Sequence, residues 1–309
     1  MPDHPTTPSQ RTPTAPSEPA YAPVNVVASA LWMVAGSAFF VGLAALVKRA
    51  SDEATAMQAV LYRSVFSALP VLAVMAARRI PVRSSGSPKL LLLRGLAGFL
   101  ALFFYLWAVG HIHLADTLAL QQLAPIFVTF LSVLLLRERP RRSHYVLAAV
   151  CLAGALLVVR PTRGLASLDS AAALVSALFS SAAYVTVRAL TRTESTERIV
   201  AWFSFVAAAL SLPFVASAWH PLSLRSHLLL IGAGLMAAAA QTMMTASYRR
   251  APAHIASAFS YASVPLAYLL GLLFWNEKPD ILSNIGIGLI VVGGVVIVAT
   301  GKTRPAPSR

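Results

Sequence analysis

The chain has 309 residues, of which 57% are hydrophobic and 12% charged. Soluble domains carry about 25% charged residues, so half that share leaves too little polar surface to cover a soluble fold of this length. The net charge of +14 does not mark a nucleic-acid binder, because the basic residues sit in short clusters between long apolar runs, the pattern of a polytopic membrane protein.

Residues 1–24 hold Pro2, Pro5, Pro8, Pro13, Pro16, Pro19 and Pro23 among Ser and Thr and cannot build a packed core. They lack the basic start and cleavage site of a signal peptide and are expected to be a disordered cytoplasmic tail. A helix that crosses a bilayer takes about 20 mainly apolar residues. That template predicts ten spans, at 25–47, 56–77, 89–110, 115–136, 144–160, 168–189, 198–219, 227–248, 254–275 and 280–300, and therefore an all-α integral membrane protein. The fourth and ninth contain Pro125 and Pro265, tolerated in a membrane helix where neighbours satisfy the freed carbonyl. Residues 301–309 form a second cytoplasmic tail.

With a cytoplasmic N-terminus, 17 Lys and Arg fall in inside segments and 6 in outside segments. The bias predicts that both termini are cytoplasmic and supports the count of ten, since one missed span would scramble the alternation. For a multi-pass protein of this kind the plasma (inner) membrane is the expected location.

The halves resemble each other. LADTLALQQLAPIFVTFLSVLLLRERP, from Leu114, is echoed by AHIASAFSYASVPLAYLLGLLFWNEKP, from Ala253; Glu138 and Pro140 match Glu277 and Pro279 at an offset of 139, as Gly154 matches Gly293. Pro125 and Pro265 differ by 140, a slip of one residue. Each half holds five spans. Five is odd, so the second half enters the membrane from the opposite side, and the halves form two inverted five-helix repeats, a plan that suits alternating access.

Several motifs in this order resemble the EamA family of the drug/metabolite transporter superfamily: Arg63 in LYRSVF, the LLRGLAGFLALFFYLWAV run around Arg94 and Gly95, LADTLAL before Pro125, the two glutamate-proline ends and a glycine-rich closing helix in each half. The resemblance implies a first repeat at 25–160, a second at 161–300, and a central substrate cavity. It implies transport of a small metabolite without fixing which, since the family moves amino acids, nucleoside-like compounds, S-adenosylmethionine and drugs. One departure is visible: Arg137 and Asn276 stand where a glycine usually precedes the repeat-end glutamate.

Charge inside a bilayer is costly and usually functional. Arg63 lies about seven residues, roughly 10 Å, from the outer end of its span, with no acid at matching depth. It is either a cavity arginine that attracts an anionic group or a buried structural arginine. Arg94 lies nearer the inner end of the third span, where its stem can snorkel to the interface or pack. Gln121 and Gln122 offer neutral donors and acceptors before Pro125; on a continuous helix only one of the pair faces a cavity. Tyr184, Gln241, and Ser260 with Tyr261 are further candidates, each with an interhelical hydrogen bond as the alternative. Trp32, Trp107 and Trp202 offer flat faces, although tryptophan near an interface more often anchors. Glu138 and Glu277 fit caps, gates or ion pairs with Arg139 and Lys278. Asp116, at the outer start of the fourth span, suits a helix N-terminus or proton coupling.

None of the eleven acids falls at mid-membrane, so a carboxylate relay is missing, which points to exchange, facilitated movement or a less obvious coupling group. No nucleotide-binding loop is present. Cys151 is the lone cysteine, and His111 and His113 are two residues apart, without metal-ligand spacing. The sequence therefore reads as a secondary transporter of a small polar or amphipathic metabolite, by efflux or exchange. The alternatives are an importer of a nucleoside-like compound such as S-adenosylmethionine or, from another class, a membrane-embedded enzyme or sensor. No cofactor, metal or catalytic residue is expected. The expected partners are a small-molecule metabolite and the lipid bilayer, with a homodimer as a candidate assembly and no nucleic acid.

Overall fold

The computed structural model describes residues 23–112, 114–160, 170–275 and 280–300. Residues 1–22 and 301–309 of the expected tails, His113, Asp169, Glu277 and its neighbours from Asn276 to Pro279 lie outside the described residues, as does the side chain of Asp116.

The described residues form α1 (Val26–Ala50), α2 (Ala56–Ala77), α3 (Pro88–His111), α4 (Leu114–Gln121), α5 (Ala124–Leu136), α6 (Arg142–Val159), α7 (Ser170–Leu190), α8 (Thr196–Ser217), α9 (Leu224–Arg250), α10 (Ala253–Ala258), α11 (Ser263–Trp275) and α12 (Ile281–Thr300). They supply ten helical segments long and apolar enough to span a bilayer, at the positions the sequence predicts. Large apolar side chains such as Leu134, Leu224, Leu273 and Val295 are exposed, as lipid-facing positions require.

Starts of helices are written in short polar residues. The side chains of Asn25, Thr55, Ser87, Ser195 and Ser223 each accept a hydrogen bond from a free first-turn N–H. The fourth and ninth spans are broken at matching places. Proline lacks an N–H and clashes with the carbonyl four residues earlier. Accordingly α4 ends at Gln121, four residues before Pro125, and a 3-10 turn at Phe259–Ala262 separates α10 from α11 ahead of Pro265.

Packing obeys a pseudo-two-fold axis. α1 packs on α9 as α7 packs on α3; α2 meets α9 as α8 meets α3; the pairs α2–α8 and α6–α12 lie on the axis itself. Small residues permit the close crossings. A Cβ on Gly95 of α3 would strike Val206 of α8, and one on Gly234 of α9, 139 residues later, would strike Phe66 of α2. At the α6–α12 crossing, a Cβ on Gly154 would meet the Gly286 carbonyl at 2.6 Å, and one on Gly293 would meet Cys151 Sγ at 2.5 Å. Thus the Gly154–Gly293 match marks one crossing seen from both sides, and Cys151 is packing material.

The helix ends fall into two sets. The start of α1, the ends of α5 and α9 and the start of α10 lie at what we call the Glu138 end. The α1–α2 turn, the end of α6 and the start of α9 lie at the Lys48 end.

Candidate functional site

A cavity of about 330 Å³ lies between the repeats. Arg63 of α2, Arg94 of α3, Gln121 and Gln122 at the α4 break, Tyr184 of α7 and Gln241 of α9 all line it. The sequence candidates Arg63, Gln121, Gln122, Tyr184 and Gln241 therefore meet in one place, with Arg94 beside them. Ser260 and Tyr261 do not line it. Tyr261 is fully buried beside Cys151, Ala155 and Ile290, and its hydroxyl donates to the Gln122 carbonyl at 3.0 Å. The 3-10 turn before Pro265 rotates Tyr261 away from the cavity and into the α6–α12 core, where it holds the broken α4 open.

The expectation that only one of Gln121 and Gln122 can face the cavity is corrected. Both do, because the helix stops between them and the rotation of about 100° per residue no longer applies. Gln121 is fixed by α7: its Nε2 donates to Ser180 Oγ at 2.9 Å, and its Oε1 accepts from Ser176 Oγ at 3.0 Å. Ser176 and Ser180, one turn apart, escaped the sequence reading; i,i+4 serines in an apolar helix were the available signal.

Snorkelling by Arg94 is overturned. The side chain is 3% exposed, with its guanidinium 4.3 Å from the centroid of the Phe203 ring, and its Nη2 donates to Gln241 Oε1 at 3.1 Å. Gly98, one turn along α3, leaves the room: a Cβ there would strike Arg94 Nη1 and the Phe203 ring. The spacing Arg94–Gly98 was the legible signal, while distance from the helix end misled, because depth says nothing of which face a residue occupies. Arg63 is half-buried, 5.8 Å from the same Phe203 centroid. The lining includes no Asp or Glu. A buried charged donor left without an acceptor costs more than the 1–3 kcal/mol of a neutral one, so a cavity with two guanidiniums and no carboxylate favours anions.

Trp32, Trp107 and Trp202 do not line the cavity. Trp32 lies under Arg250, Trp107 is half-exposed and stacked on His111, and Trp202 donates to the Val82 carbonyl at 2.9 Å.

The cavity is closed toward the Glu138 end. There α5 ends in a left-handed turn at Arg137, φ 55°, the conformation that a glycine takes without steric cost, and it presents Glu138 to the second repeat. Glu138 accepts from Ala253 N at 2.9 Å, capping α10, and from His254 Nδ1 at 2.9 Å; Arg188 Nε lies 3.5 Å away. The expected pairing with Arg139 thus gives way to partners on α7 and α10. Burial pushes the Glu138 carboxyl up, and the His254, Ala253 and Arg188 contacts outweigh it, so the group sits below the ordinary carboxylate value. Arg188 also donates to the Tyr248 carbonyl at 2.8 Å, and Tyr248 stacks on Tyr184 at the cavity wall. Nearby, buried Glu194 accepts from Ser84, Arg198 and the Ser85 and Gly86 N–H groups, locking the α2–α3 loop to the α7–α8 turn.

Toward the Lys48 end the cavity continues. A second space of about 500 Å³ shares Phe40, Leu118, Gln122 and Ser263 with the first and extends along α1 and α6 to Lys48 and Val159. Among the described residues no group of three or more His, Cys, Asp or Glu could hold a metal ion.

Inverted repeats around a polar, one-sided cavity are a transporter's anatomy, and the comparisons decide whose. The model of the EamA-like transporter family matches residues 27–160 and again 170–299. The chain belongs to that family. It is a membrane transporter of small molecules. It is 34% identical over 274 residues to the pseudopaline exporter CntI of Pseudomonas aeruginosa, covering 88% of this chain and 96% of that one. It is 27% identical over 215 residues to a riboflavin transporter of Vibrio cholerae, covering 69% and 72%. A crystal structure aligns with a TM-score of 0.78 at 22% identity, over 91% of this chain and all of the other, which is a likeness of fold.

Proposed function

We propose that this chain is a secondary exporter that moves a small, anion-bearing metabolite out across the plasma (inner) membrane by alternating access, with both termini in the cytoplasm, the repeats at 25–160 and 161–300, and no chemical change to its cargo. The observation that carries this reading is the shared cavity at the repeat interface, lined by Arg63, Gln121, Gln122, Tyr184 and Gln241, sealed toward the Glu138 end and continued toward the Lys48 end. The basic bias of the loops supports a cytoplasmic Glu138 end, and on that orientation the conformation is outward-open. The exporter among the relatives supports the direction. Transport of a flat, nucleoside-like compound is the second reading; Phe40, Tyr105, Tyr184 and Phe203 in the lining and the riboflavin transporter among the relatives favour it.

The test compares small molecules in the medium of cells that overexpress the chain, cells that lack it, and cells that carry Arg63→Gln. The expected result is one compound that accumulates outside only with the intact chain and drops at least tenfold with Arg63→Gln at equal folded yield. A compound chemically altered but not moved, or no dependence on the chain, contradicts export. Equal loss of yield and export would make Arg63 structural.

A further inference from the structure

We infer that Arg63 and Arg94 form a single two-pronged anion site, so that the cargo carries two separate anionic groups, one for each guanidinium. This rests on the cavity's being the cargo site, and it adds the cargo's charge and a second binding residue, Arg94. Three observations support it. First, Arg94 is 3% exposed and lines the cavity, and its Nε and Nη1 have no hydrogen-bond partner among the described residues. Arginine presents five N–H donors in a rigid fork that fits a carboxylate with two parallel bonds. Here Gln241 holds Nη2 and leaves Nε and Nη1 to be satisfied.

Second, the surroundings fix the fork instead of neutralising it. Gly98 provides the space, and Phe203 supplies a ring face against which both guanidinium carbons rest, at 4.3 Å and 5.8 Å from its centroid. A ring face eases a desolvated cation but accepts no directed N–H bond in the plane of the fork. Arg188, by contrast, directs Nη1 at the carbonyls of Tyr248 and Arg249 and has a carboxylate, Glu138, 3.5 Å from its Nε.

Third, the charge does not balance. Two guanidiniums share a cavity whose lining holds no carboxylate. Charge buried in a membrane protein is normally paired, and a cargo with two anionic groups supplies both counter-charges as it binds. A monoanion would leave one arginine unmatched, so the pair acts as a filter for charge count.

The test uses the full chain in detergent, with thermal unfolding at constant ionic strength and pH 7. The probes are succinate, glutarate and adipate, each beside its own monoamide, which matches the length and removes one charge. Ligands that bind only the folded state raise its unfolding temperature. At least one diacid is expected to bind tenfold or more tightly than its monoamide. Arg94→Gln and Arg63→Gln are each expected to reduce that ratio to about one, and Arg94→Lys, which keeps the charge in case the glutamine variant fails to fold, is expected to retain a diacid preference. Equal binding of diacid and monoamide by the natural chain, no binding of any diacid, or a tenfold preference surviving in Arg94→Gln would overturn the inference. The metabolite comparison separates the two readings: release of a neutral or cationic compound sinks the dianion and leaves the exporter, whereas no release sinks the exporter.

Discussion

The two ends of the bundle are built from the same repeat and treated in opposite ways. Thr55 and Ser195 cap the second helix of each repeat at an offset of 140, and the residue three further on reaches the loop that follows the second helix of the other repeat: Gln58 donates to the His220 carbonyl, and Arg198 to the Pro81 carbonyl. An acid in the preceding turn holds the same loop: Glu53 accepts from Ser223 N, and Glu194 from Ser85 and Gly86 N. Yet Gln58 is neutral where Arg198 is charged, and Glu53 is exposed where Glu194 is buried. Lys48 stands one repeat, 140 residues, before Arg188; it lines the open cavity, while Arg188 is buried beside Glu138 in the seal. Equivalent contacts are thus buried and ionic at the closed end, and either neutral, at Gln58, or exposed, at Glu53, at the open end. On the exporter reading, this difference lets one repeat, read in two orientations, hold one side shut while the other stays open.

Removing the strongest closed-end contact should break the comparison most. Glu194→Gln leaves Arg198 buried without its counter-charge, and breaking such a pair costs about 3–5 kcal/mol; a large fall in unfolding temperature and in folded yield is expected. Glu138→Gln keeps an acceptor for Ala253 but loses the charge that faces Arg188 and His254, a change of about 1.5–3 kcal/mol. It should shift the population toward a state open at the Glu138 end, seen as new labelling from that side. Acid should mimic it. Glu138 and Glu194 are held below the ordinary carboxylate value, so their contribution is complete above a pH of about 4.3 and is lost as pH falls through the lowered values. Titrating the unfolding temperature downward from pH 7 should show that loss in the natural chain and a smaller one in Glu138→Gln. Glu53→Gln, at the open end, should leave stability within error despite its matching position.

Most of the fold was legible because hydropathy and the loop charges act on whole spans. All ten spans fall where the apolar runs place them, and Pro125 and Pro265 mark the breaks in the fourth and ninth. The site was legible in part. Arg63, Tyr184 and Gln241 stand out as polar residues in apolar runs, and they converge. Arg94 and Tyr261 were misplaced for one reason: depth along a helix can be read from sequence, but the face a residue occupies depends on neighbouring helices. The broken turns added a second error at Gln121 and Gln122. Glu138 was seen as a helix-end acid, but its partners Arg188 and His254 are set by the fold, 50 and 116 residues away.

The most direct test of the one-sided cavity is labelling of a single cysteine from each face of the membrane. Ser263 lines both connected spaces. In a Cys151→Ala background, Ser263→Cys is treated with a membrane-impermeant maleimide in right-side-out and inverted vesicles. Modification from the Lys48 side, with little from the Glu138 side until Glu138→Gln is added, is the predicted result. Equal modification from both sides in the parent, or modification from the Glu138 side alone, would contradict the account.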